Sequence, residues 1–157
     1  MKIKTSELTG WQLAYAAAQH DPMCASLRWE KRDGVVFGVF DDDSKDEGRL
    51  TCCFLGDLNV IERLRIRRKT SAEFYAPQEL WQQGGPIIER ENLGQLPPDG
   101  HRFGAWCAFY WTPSQHDLAF DDSVEHKQWG ATPLIAAMRC FVAAKLGDEV
   151  EVPDELL

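Results

Sequence analysis

A glycine-rich turn that leads into a helix can hold an anion, because the first N–H groups of a helix are unpaired and glycine lets a phosphate come close. The stretch WQQGGPIIERE, residues 81 to 91, has that form. With Pro86 at the first helical position, Gly84, Gly85 and the amide of Ile87 would line such a site. The flanks argue against it. No Lys-Ser/Thr follows as in a P-loop, G-x-G-x-x-G is absent, and Glu89 and Glu91 would repel a phosphate. Gly-Gly-Pro is ordinary loop-to-helix punctuation, so a structural turn is the expected role. A second chemistry joins Tyr75 and Trp81, stacked on a base, to Arg139 or the row Arg63, Arg65 and Arg67 pairing with phosphates. Against it, Tyr and Trp are usually largely buried, so both aromatics are expected in core or loop packing. The arginine row is expected as a solvated strand edge answering the acidic stretch 41–47.

Metal and nucleophile chemistry find less support. The histidines His20, His101, His116 and His126 and the five cysteines show no C-x-x-C or H-x-x-x-H spacing. Adjacent residues of a strand point to opposite faces, so Cys52 and Cys53 could not easily share an ion. Cys24 lies near His20 and Cys107 near His101, but neither has the flanks of a known nucleophile. We expect no catalytic residue, no metal and no cofactor.

The elements that must position these residues follow from pattern. Residues 2 to 4 alternate as a short strand. Thr9, with Gln12 three residues on, matches a capping box for a largely buried helix from about Gly10 to Gln19, which Asp21-Pro22 ends. Runs at 26–31, 35–40, 50–55 and 60–67, rich in Val, Ile, Phe and Trp and separated by turn residues, predict a meander of antiparallel hairpins. A short helix is expected over 86–92, a loop over 94–101, a buried strand within 103–111 and an irregular stretch over 112–130. The strongest signal is last: Thr132 as N-cap, Pro133 at the first position, the run LIAAMRCFVAAKL and Gly147 as the stop predict a long helix that is apolar almost all round. It should lie mid-domain with the sheet against it. Arg139, a charge on that helix, needs a carboxylate, a bound anion or an escape to solvent.

Composition narrows the classes. The 157 residues suit one domain, read here as residues 1–157 with a β-rich insertion at about 24–74. No apolar run approaches the roughly 20 residues that cross a bilayer, and no secretory signal is visible, so a cytoplasmic protein is expected. A formal net charge of −8 speaks against broad affinity for nucleic acid, which depends on Lys and Arg displacing counterions. The cysteines sit among apolar neighbours, as reduced thiols would.

Three blocks carry a resemblance: the opening KIKTSELTG with its aromatic-Ala helix, the stretch from Tyr75 to Glu91, and the closing TPLIAAMRCFVAAKLGDEV with VPDEL behind it. In that order they resemble the NinX family of lambdoid phages and prophages. The resemblance implies a small phage accessory protein of bacterial cytoplasm, without established activity and without catalytic residues to carry over.

The expected fold is α+β: an antiparallel sheet of about four to six strands packed against an N-terminal helix, a short central helix and a long C-terminal helix. The first functional reading is a non-enzymatic accessory protein that binds and modulates a host or defence protein. The alternative is a small-ligand binder that sequesters a nucleotide or nucleotide-derived signal on Tyr75, Trp81, Gly84, Gly85 and Arg139. A hydrolase of such a ligand stands third. A concave pocket joining Trp81, the glycines and Arg139 would favour the ligand binder. Open sheet edges would also allow a homodimer.

Overall fold

The computed structural model describes residues 1–24, 28–32, 35–39, 52–54, 75–98, 104–110 and 127–154. In chain order the elements are β1 (Lys2–Lys4), α1 (Gly10–Ala18), β2 (Arg28–Arg32), β3 (Val35–Val39), β4 (Cys52–Phe54), α2 (Trp81–Arg90), β5 (Leu93–Leu96), β6 (Trp106–Tyr110), β7 (Gln128–Gly130), α3 (Pro133–Leu146) and β8 (Glu149–Glu151). One-turn 3-10 helices follow β1 and α1, at Thr5–Glu7 and Pro22–Cys24. The class is α+β.

The core is built on α3, which runs unbroken through Arg139. Its start is fixed by the Thr132 hydroxyl oxygen, which accepts the Ile135 N–H at 3.2 Å, and by Pro133 at the first turn. Its end is fixed by Gly147 at φ 88°, a left-handed angle, with the Gly147 N–H donating to the Ala143 carbonyl at 2.8 Å. Leu134, Met138, Phe141 and Val142 are buried along it, each contributing about 1.5 to 3 kcal/mol by burial. Around α3 pack α1, α2 and the strands β5, β6, β7 and β8. On α1, Leu13, Ala14, Ala16, Ala17 and Ala18 are buried. Thr9 holds the N-cap position in extended conformation, but its side chain makes no capping hydrogen bond, so the capping box supplies the boundary and not the bond.

The described strands are all antiparallel, as the sequence suggests. Among the described residues they fall into three antiparallel sheets: β1 with β8, the order β2-β3-β4, and the order β5-β6-β7. In the first, Ile3 faces Val150; in the last, Leu93 to Leu96 run opposite Tyr110 to Cys107, and Trp106 to Ala108 run opposite Gly130 to Gln128. The meander of 28–54 is present as expected, while the run 60–67 with its arginines lies outside the described residues.

Four corrections concern boundaries and short elements. The loop read over 94–101 begins as β5, and the irregular stretch over 112–130 ends as β7. A third unread strand, β8, follows Gly147. The short helix expected at 86–92 is instead α2, which begins five residues earlier and holds Pro86 inside it. The helix starts at Trp81 because the turn 77–79 presents the Leu80 carbonyl, which accepts the N–H groups of Gln83 at 3.0 Å and Gly84 at 2.9 Å. Pro86 then withholds only the N–H that would have met Gln82, an exposed residue whose carbonyl water can serve.

Candidate functional site

Of the five residues named for ligand binding, Trp81, Gly84 and Gly85 share α2, while Tyr75 and Arg139 are engaged in internal hydrogen bonds. Tyr75 is buried, and its hydroxyl donates to Asp21 Oδ2 at 2.7 Å. Burial pushes the phenol pKa up first, and the neighbouring Cys24 and Asp21 push it further. A phenol locked in this way has no ring face to offer a base. Gly84 and Gly85 lie inside α2 and form no loop, so their N–H groups are not a free cradle. A Cβ at Gly84 would strike the Pro77 carbonyl oxygen and come within 2.7 Å of Leu134 Cδ2, which makes this glycine the point where α2 rests on the preceding turn and on α3.

Arg139, half-buried on α3, is held by main-chain carbonyls. Its Nε and Nη2 donate to the Leu8 carbonyl at 3.1 and 2.9 Å, and Nη1 donates to the Trp129 carbonyl at 2.8 Å. Leu8 lies between the first 3-10 turn and α1, and Trp129 sits in β7, so the guanidinium ties both to α3. Burial lowers its pKa somewhat, yet the carbonyl dipoles supply what a carboxylate would have supplied.

Trp81 is the correction in the opposite direction. Expected in packing, it is 54% exposed, and its neighbour Leu80 is 37% exposed. A Cβ on Gly85 would lie 3.9 Å from Trp81 Cε3, so the indole lies back along the helix over Gly85. Gln82, Pro86 and Glu89 are exposed beside it and Glu79 precedes it, giving one contiguous stripe of α2. The buried side is carried by Gly84 and Ile87. A helix read from Pro86 does not show this face; the 3.6-residue period from Trp81 places Glu89 on it, and Glu79 and Leu80 lead into it.

A second polar cluster runs from the buried Asp21 to the surface. Asp21, almost fully buried, accepts from Tyr75 and lies 3.4 Å from Arg90 Nη2. Arg90 Nε donates to Glu91 Oε1 at 3.3 Å, and Glu91 Oε2 receives Lys145 Nζ at 2.9 Å and the Tyr110 hydroxyl at 3.3 Å. Burial raises the Glu91 carboxyl, but the Lys145 and Arg90 contacts outweigh it and its pKa ends below the ordinary value. Two acids against two bases make the cluster neutral. It links the segment after α1 to the ends of α2 and α3 and to β6. Cys24, Cys107 and Cys140 are free and buried; burial pushes the Cys140 thiol up to about 12 and raises Cys107 as well, which keeps these two protonated at neutral pH.

Two cavities lined by described residues lie elsewhere. One of about 420 Å³ is lined by Met1, Tyr15, Gln19 and residues 151–154, and one of about 310 Å³ by Lys4, Ser6, Gln128, Asp148 and Glu149. Neither touches Tyr75, Trp81, the glycines or Arg139. Among the described residues no three His, Cys, Asp or Glu side chains converge as metal ligands, and no helix is long and apolar enough to cross a membrane.

A small α+β domain organised on one buried helix, with an aromatic displayed on a neighbouring helix, is the class of protein defined so far. The chain belongs to the family described as Bacteriophage P22, NinX, which it matches over residues 4–145. It is thus a phage accessory protein by family. No curated protein matches it significantly.

Proposed function

We propose that this protein acts in the host cytoplasm by binding a host or defence protein and altering that partner's activity, without chemistry of its own. The observation that carries the reading is Trp81, 54% exposed with Leu80 beside it, on the exposed side of α2. Exposed aromatics with an aliphatic neighbour are typical anchors of protein interfaces. Support also comes from what is withdrawn: Tyr75 and Arg139, the partners a nucleotide site would need, are engaged in internal hydrogen bonds.

A photo-crosslinking amino acid placed at Gln82 tests this in phage-infected cells. A discrete adduct with one protein, lost when Trp81→Ala and Leu80→Ser are added, is the expected result. Absence of any adduct, together with a raised melting temperature in the presence of one member of a nucleotide panel, would replace the reading with the ligand-sequestering one.

A further inference from the structure

The charges around Trp81 indicate what kind of surface it fits. The only cation in α2 is Arg90, and its guanidinium is turned toward Asp21 and Glu91, at 3.4 and 3.3 Å. The exposed acids Glu79 and Glu89 enter no ion pair among the described residues. One carboxylate precedes Leu80. The other stands one helical turn, roughly 5 to 6 Å, beyond Gly85, over which the indole lies. Among the described residues the stripe therefore combines an exposed aromatic ring with two carboxylates and no cation of its own beyond the engaged Arg90, on a chain of net charge −8. The N-terminus of α2 opposes a cation with roughly half a positive charge, which two full carboxylates outweigh. For a nucleotide the balance is reversed, since its phosphates would meet both carboxylates and no counter-cation.

Resting on the binding reading above, we propose that this face takes a cationic segment of the partner protein. A Lys or Arg side chain lies across the open face of the Trp81 indole, its charge answered by Glu79 and Glu89, while an aliphatic neighbour meets Leu80. The partner is thus a basic loop or helix of a folded protein.

The test uses the full chain, 15N-labelled, titrated with a soluble twelve-residue peptide of alternating Lys, Leu and Arg, with its Glu-for-Lys/Arg counterpart and with ATP. The expected result is a saturable shift of the Trp81 indole N–H by the basic peptide, weakening as salt rises. Trp81→Ala should weaken binding about tenfold through loss of the ring and its area. The pair Glu79→Gln and Glu89→Gln should weaken it about fivefold, while the distant and equally charge-changing pair Glu149→Gln and Glu151→Gln should leave it unchanged. Equal loss in both pairs, or a larger Trp81 shift with the acidic peptide or ATP, would overturn the proposal. A Gln82 adduct whose captured segment is acidic or neutral would overturn it too while leaving the binding reading intact.

Discussion

Two adjacent glycines of α2 are expected to answer the same substitution very differently. In Gly84→Ala the new methyl overlaps the Pro77 carbonyl oxygen and stands 2.7 Å from Leu134 Cδ2. A main-chain carbonyl cannot swing away as a side chain can, so the overpacking belongs at the upper end of the usual range of about 1 to 3 kcal/mol. Alanine returns about 1 kcal/mol of helix propensity. The net loss is about 2 kcal/mol, which in a chain of 157 residues lowers the melting temperature by about 4 to 8 °C. In Gly85→Ala the methyl lies 3.9 Å from Trp81 Cε3, an ordinary contact. The same propensity gain is then opposed by the Pro86 ring, which crowds a Cβ on the residue before it. The two effects nearly cancel, and stability is expected within about 1 kcal/mol of the parent. Thermal melts followed by circular dichroism, with urea unfolding as a check on m, measure both. A Gly84→Ala variant that melts at or above Gly85→Ala would refute the packing of α2 against Pro77 and restore the glycines to a loop.

Three other perturbations follow from the same contacts. Glu91 has its pKa held down in the folded state, so its stabilisation is present above the unfolded value and is lost as pH falls through the folded one. Glu91→Gln is therefore expected to lose about 1 to 2 kcal/mol at pH 7, with the two urea-derived stability curves converging as pH falls through and below the ordinary carboxylate range. Arg139→Met keeps the apolar stem but strips the Leu8 and Trp129 carbonyls of their donor, for a loss of about 2 to 3 kcal/mol in urea. Arg139→Lys should recover only part, because one ammonium cannot span both acceptors. Gln78 is buried and its Oε1 has no hydrogen-bond partner, which costs about 1 to 3 kcal/mol, so Gln78→Met should raise the melting temperature; a fall would show that the amide is in use.

The parts of this fold written in local chemistry were readable from residues alone. Thr132, Pro133 and Gly147 bracket α3 with cap, first-turn proline and left-handed stop, and each works in the structure as its type dictates. The strands that escaped notice are three or four residues long, too short for a period of two to show. In β5 a glycine interrupts Leu-Gly-Gln-Leu, and the Phe109 ring of β6 lies over that glycine, so the strand exists through its neighbour and not through its own composition. Arg139 was recognised as a problem, but the solution lay in carbonyls of Leu8 and Trp129, and a sequence does not show which carbonyls a fold leaves unpaired. At the site, residue type alone groups Trp81 with Tyr75 and Arg139, and it does not show that the Tyr75 hydroxyl and the Arg139 guanidinium are engaged by Asp21 and by main-chain carbonyls.

The same glycines explain why α2 has the surface it has. Two glycines and an interior proline leave the helix about 5 kcal/mol poorer in intrinsic propensity than an alanine helix of equal length. It is held instead by packing: Ile87 is 1% exposed, and Gly84 lets the backbone settle on Pro77 and Leu134. A stretch of good helix formers would spare that loss but would raise side chains at 85 and 86. With glycine and proline there, the indole of Trp81 lies low along the helix and the ground between it and Glu89 stays flat. Residues that read as a break in the chain thus shape a shallow aromatic face with a carboxylate at its far end, on which an extended or helical basic segment can lie without displacing any side chain of α2.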